Sequence, residues 1–359
     1  MHRQRLVPTA ALITAVLTLA TWAAPLAGQQ SASPRGTIER IAVHGRALEG
    51  NLEGDAPDRA VIVYLPPSYA SQTARRYPVL YFLHGYGATA EAYAKMLALP
   101  DAIDRAIAAG GREMIVVLPD AFTKYSGSMF SSSPTTGDWE TFIADDLPTA
   151  IDKRYRTIAR RDGRGLAGHS MGGYGTMRIG MKRPNAFAAL YAMSSCCLMN
   201  DPAGRGAAAR DTGAGREQSA GRGDATGRGA GPGRGGALAN ALSAQAAAWA
   251  PNPKNPPQFF DLPTKDGEIQ PLVAGKWPAN SPLLMVDQHV PALKSMGGIA
   301  LDVGDQDPFV VTNRQLDEAL TRLDVAHTLQ VYDGNHGNRV RERFESQVIG
   351  FFSRLLAAQ

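Results

Sequence analysis

The pentapeptide Gly168-His169-Ser170-Met171-Gly172 sets a serine between two glycines in the pattern Gly-x-Ser-x-Gly. A serine in this pattern sits on a sharp strand-to-helix bend that lifts its hydroxyl out of the sheet edge. Such a bend forces unusual φ/ψ, and small neighbours leave room for it. The helix that follows offers a positive N-terminal field to a developing oxyanion. Serine alone is a poor nucleophile near neutral pH, so it needs a base to take its proton and an acid to orient that base. For this elbow the chain order is serine, acid, histidine. Three histidines follow Ser170: His289, His327 and His336. His336 is favoured, because Tyr332-Asp333-Gly334-Asn335-His336-Gly337 reads as a loop between the last strand pattern and the last helix pattern. His327 begins a strand pattern, and His289 stands in an irregular stretch before a proline.

Asp302, Asp305 and Asp307 compete for the acid. Asp302 falls inside a strand pattern, and Asp305 has the character of a turn residue. Asp307, past the turn and before a helix pattern, is favoured, although an N-cap role accounts for it equally well. An oxyanion hole needs backbone donors. The N–H of Met171 is one. The other is expected from His84-Gly85-Tyr86-Gly87, with Tyr86 N–H as donor and Gly85 letting the backbone approach the substrate oxygen. His84 is expected to hold that loop through a hydrogen bond. No H-E-x-x-H and no clustered His–carboxylate spacing argues for metal catalysis, and no cofactor is expected.

These groups require a scaffold. Apolar, β-branched runs at 60–65, 77–84, 115–118, 165–169, 189–194, 299–303 and 328–332 read as strands. The run at 77–84 is continuous, as in a strand buried on both faces. Helical patterns at 90–109, 139–155, 171–182, 312–323 and 341–356 fall between and after them. This alternation predicts an α/β chain: a mostly parallel central sheet with helices on both faces, in a single catalytic domain over 36–359.

The formal net charge of +4 is concentrated outside that body. Residues 1–28 hold two Arg and no acid, and 201–236 hold six Arg against four acids. The remainder carries 29 basic and 29 acidic residues, which gives no argument for a nucleic-acid partner. Arg3 and Arg5, an apolar run from about residue 10, and small residues near Ala27 read as a cleaved export signal over 1–28, with a secreted or periplasmic destination. No stable membrane insertion is expected after cleavage. Residues 201–236, with 12 Gly, 8 Ala and 6 Arg, are expected to be a disordered insertion. Residues 240–249 and 251–257 together suit part of a lid. The two cysteines, Cys196 and Cys197, are adjacent and are expected to remain free, since neighbours close a disulfide ring only with strain.

The stretches VYLPPSY (63–69), YPVLYFLHGYG (77–87), GDWETFIADDLPTAID (137–152), GLAGHSMGGYGTM (165–177) and RPNAFAALYAMSS (183–195) resemble the putative-esterase family of α/β-hydrolases. That family includes feruloyl esterases, S-formylglutathione hydrolases, siderophore esterases and mycolyltransferases. The resemblance implies an α/β-hydrolase fold, Ser170 as nucleophile, and Asp307 with His336 as its partners. It also sets Trp139 near the site as a candidate wall of the acyl pocket. The expected reaction is hydrolysis of a small-molecule or sugar-linked carboxylic ester. Delivery of the acyl group to a sugar or alcohol by the same residues is the alternative, and a non-catalytic binding protein of the same fold is a more distant one. The Gly/Ala/Arg segment departs from the family pattern where the substrate pocket is often shaped.

Overall fold

The computed structural model describes residues 35–200 and 234–358. The expected export signal and nearly all of the expected insertion lie outside the described residues. Eight strands form the central sheet: β1 (Thr37–His44), β2 (Asp58–Leu65), β3 (Val79–Leu83), β4 (Ile115–Pro119), β5 (Arg164–His169), β6 (Ala189–Met193), β7 (Gly298–Gly304) and β8 (Thr328–Tyr332). Their spatial order is β1-β2-β4-β3-β5-β6-β7-β8. The β1–β2 and β2–β4 pairs are antiparallel, and all the others are parallel.

Seven of the strands were legible as apolar runs. The eighth, β1, reads TIERIAVH, and most of its residues are partly or fully exposed. An edge strand that keeps Glu39 and Arg40 in solvent carries only a weak apolar signal. It is held by pairing with β2, Ile38 opposite Tyr64 and Ile41 opposite Val61.

The middle strands bury both faces. Val79, Tyr81 and Leu83 point to one side of the sheet, Leu80 and Phe82 to the other. On the first side lie α3 (Leu147–Arg154), α4 (Met171–Lys182), α5 (Arg234–Trp249) and α6 (Val310–Arg322). On the second lie α1 (Ala90–Met96), α2 (Asp101–Ala108) and α7 (Ile349–Leu355). The single helix expected over 90–109 is two. Pro100 has no N–H to donate and disfavours helical geometry at the residue before it, so the chain breaks between α1 and α2.

Helix α5 corrects the lid expectation. Its Ala246, Ala247, Ala248 and Trp249 are buried in the core, and Trp249 packs edge-on against Trp277. Ser133 Oγ donates to Ala247 O at 2.6 Å, which ties the helix down.

In the turn between β1 and β2, burial pushes the Glu53 carboxyl up to about 9, and Asp55 beside it adds to the effect while Lys124 opposes it. The folded value lies above the unfolded one. The favourable contribution is therefore complete below about pH 4.5 and is lost as pH rises towards 9. Glu53→Gln removes this dependence. Its Tm is expected to exceed the wild-type value by roughly 3–6 °C at pH 8.5, with the gap closing towards pH 4.5. Thermal melts at the two pH values check this, and a gap independent of pH would exclude it.

Candidate active site

Ser170 occupies the single residue between the end of β5 and the start of α4, with φ 58° and ψ −114°. A non-glycine residue in this region is strained and persists only where its surroundings hold it. Here the Ser170 N–H donates to Met193 O at 2.9 Å, and its carbonyl accepts from Tyr174 N at 3.0 Å and Cys196 N at 3.2 Å. The flanking glycines are required by close approach. A Cβ on Gly168 would stand 2.4 Å from the Gly172 backbone, and one on Gly172 would stand 2.0 Å from Leu83 O.

His336 Nε2 lies 2.9 Å from Ser170 Oγ, and His336 Nδ1 lies 2.8 Å from Asp307 Oδ2. A carboxylate can only accept, so Nδ1 carries the proton and Nε2 is free to accept from the serine hydroxyl. The three residues arrive from separate elements: the β5–α4 bend, the loop after β7 and the loop after β8. Parallel pairing of β5, β6, β7 and β8 brings their carboxyl ends to one edge.

The Asp307 side chain is fully buried. Burial alone would raise its carboxyl. The hydrogen bond to His336, the Phe309 N–H donated to Oδ1 at 2.8 Å and the imidazole charge outweigh that and hold it below the usual carboxylate range. The competing acids are engaged elsewhere. Asp302 accepts from Arg343 Nε at 3.0 Å and Tyr191 OH at 2.9 Å within the core. Asp305 Oδ1 accepts from Gly334 N at 3.1 Å, and so braces the loop that carries His336. His327 bonds Asp317 at 2.9 Å on the surface of α6, and His289 precedes a short helix.

The loop 84–87 follows β3 beside the bend. A Cβ on Gly85 would come within 3.4 Å of Ser170 Cβ, and one on Gly127 would touch both Met171 Sδ and Tyr86 Cδ2 at 2.8 Å. Tyr86 and Met171 therefore border the same space. Among the described residues neither of their amides is taken by another acceptor. His84 holds the loop: its Nε2 accepts from Ala121 N at 2.8 Å, and its Nδ1–H donates to Gly85 O at 2.8 Å.

Trp139 is buried in the core. Asp138 caps the start of its short helix by accepting from Thr141 N. Trp139 is 1% exposed, donates Nε1–H to Thr136 O at 2.8 Å and meets Phe130 and Phe142 edge-on. These contacts are those of a core residue, the other role its position near the motif allows.

Two residues at the site were missed. Sequence reasoning gives no role to His169, inside the pentapeptide, or to Tyr93, inside the helical pattern at 90–109. Cys196 and Cys197 are free thiols, with Cys196 buried beside the Ser170 carbonyl.

An eight-stranded sheet in this order, with a strained serine after β5 and helices on both faces, is the α/β-hydrolase fold. A ferulic acid esterase structure superposes with a TM-score of 0.63 at 23% identity, covering 90% of this chain and 99% of that one. The S-formylglutathione hydrolase from Agrobacterium tumefaciens does so with a TM-score of 0.58 at 15% identity, covering 91% and 98%. The chain belongs to the putative-esterase family, whose profile matches residues 56–354. Esterase Rv1288 of Mycobacterium tuberculosis is 35% identical over 129 residues, which is 36% of this chain and 27% of that protein. The chain thus spans about a quarter of that relative's length.

Proposed function

We propose that this chain is an exported serine esterase that hydrolyses a carboxylic ester through an acyl-enzyme. The observation that carries the reading is the 2.9 Å approach of His336 Nε2 to Ser170 Oγ, with Asp307 2.8 Å behind the ring. Ser170 Oγ attacks the ester carbonyl carbon as His336 takes its proton. The carbonyl oxygen becomes an oxyanion facing the Tyr86 and Met171 amides. The C–O bond to the alcohol breaks as His336 returns the proton to the leaving oxygen. Water then attacks the acyl-serine, giving up a proton to His336, and the acid departs with Ser170 restored. Asp307 fixes the imidazole tautomer and stabilises its cation in both halves. The ferulic acid esterase neighbour makes esters of aromatic acids the first substrates to try.

Export rests on residues 1–28. Among the described residues, no helix is long and apolar enough to cross a membrane. The reading is tested with purified protein and p-nitrophenyl and feruloyl esters of graded acyl length, with and without a sugar acceptor. Release of free acid that depends on Ser170 supports it. Acyl transfer to the sugar in place of water would move the assignment to a transferase. Fractionation of cells expressing the full chain, with the mature N-terminus read by mass spectrometry, tests export. An intact N-terminus in the cytoplasmic fraction would overturn that part.

A further inference from the structure

Beneath the nucleophile, one buried pair of side chains spans from the oxyanion loop to the base loop. His169 Nε2 lies 2.8 Å from the backbone carbonyl of His336, and Nδ1 lies 2.8 Å from the Tyr93 hydroxyl. A carbonyl only accepts, so Nε2 carries the proton and Nδ1 accepts from Tyr93 O–H. The Tyr93 hydroxyl in turn lies against Gly85: a Cβ there would sit 2.3 Å from it. The His169 ring also packs on the His336 ring, with centroids 4.8 Å apart and planes 37° apart. Both His169 and Tyr93 are buried.

The assigned tautomer needs a neutral ring. Burial and then the neighbouring His336 charge push the His169 imidazole down to about 4, so Nδ1 keeps its lone pair at neutral pH. His169 sits at the last position of β5 and Tyr93 in α1, both on rigid elements. The base loop, by contrast, is irregular backbone after an edge strand. Asp305 braces Gly334 in that loop and Asp307 orients the His336 ring, while His169 holds the His336 backbone carbonyl itself.

We propose that His169 and Tyr93 are positioning residues that hold the His336 backbone and the Gly85–Tyr86 loop at fixed separation, so that base and oxyanion donors meet the same substrate. The inference rests on the serine-esterase reading above. In His169→Leu the anchor is lost, and kcat on p-nitrophenyl acetate should fall by roughly 10²-fold, with KM changed less than about threefold, since a shift near 1 Å at the reacting groups has that cost. His169→Gln returns an amide N–H at the Nε2 position and should recover kcat to within about tenfold of wild type. Tyr93→Phe, which leaves Nδ1 unsatisfied, should lose about tenfold in kcat at unchanged KM.

A wild-type kcat in His169→Leu overturns the proposal. So does a Gln variant as impaired as the Leu variant, because that pattern reports packing alone. Should His169→Leu not fold, Tyr93→Phe decides: a kcat loss at constant KM supports the proposal and an unchanged kcat overturns it. The esterase reading is checked separately in the same assay. A wild-type chain without activity, or activity surviving Ser170→Ala, would sink that reading and leaves a pattern distinct from failure of the positioning variants alone.

Discussion

Ser170→Ala is expected to lower turnover of a p-nitrophenyl ester by on the order of 10⁴-fold or more, while Tm changes little. The reason lies in how little else at the site can attack a carbonyl. His336 and Asp307 remain in place, but an imidazole without its serine can only activate water that nothing holds in line. On the proposed reading the Tyr86 and Met171 amides still face the carbonyl oxygen, so some acceleration over water should survive. The backbone strain at position 170 is unchanged by alanine, which also has a Cβ, so the fold carries the same load. Steady-state kinetics and covalent labelling by a fluorophosphonate check the prediction together. Equal labelling of wild type and variant would remove Ser170 from the mechanism.

Asp307→Asn should be nearly as damaging, with kcat down by about 10⁴-fold by analogy with other serine triads. The hydrogen bonds around Asp307 explain why so small a change is so costly. Oδ1 receives the Phe309 N–H at 2.8 Å, so an asparagine keeps its oxygen on that side. Its NH₂ group then faces His336 Nδ1, 2.8 Å away in the native pair. Two donors cannot share that contact, so the ring adopts the opposite tautomer. Nε2 then carries the proton and cannot accept from Ser170. Fluorophosphonate labelling should slow in parallel with kcat. A loss smaller than about tenfold would show that Asp307 serves mainly to cap the following turn, the other role its position allows.

Much of this arrangement could be read from residues alone, for a definite reason. Strands buried on two faces must be apolar throughout, so β3, β4 and β6 announce themselves; the Gly-x-Ser-x-Gly bend needs its glycines because the backbone passes within contact of Gly172 and Leu83. Strand β1 was invisible because a sheet edge keeps its charges. Sequence favoured Asp307 over Asp302 and Asp305 but left an N-cap role open beside it, since all three lie within six residues and only the third dimension separates a core ion pair, a loop brace and a partner of His336. The role of Trp139 was not legible because an aromatic residue near a motif looks the same in sequence whether it lines a pocket or fills the core, where it is buried here. His169 was overlooked because its role depends on a carbonyl 167 positions away.

The base loop hangs from β8, the outermost strand of the sheet, which pairs only with β7 and leaves most of its residues partly solvated. Sheet rims open at a lower free-energy cost than the interior. Loosening there would carry the imidazole off the serine while the six inner strands stay intact. Inactivation by heat or denaturant is therefore a report on the rim of the molecule. Shelf life would be governed by how firmly one short strand stays zipped to its neighbour, and not by the bulk of the core.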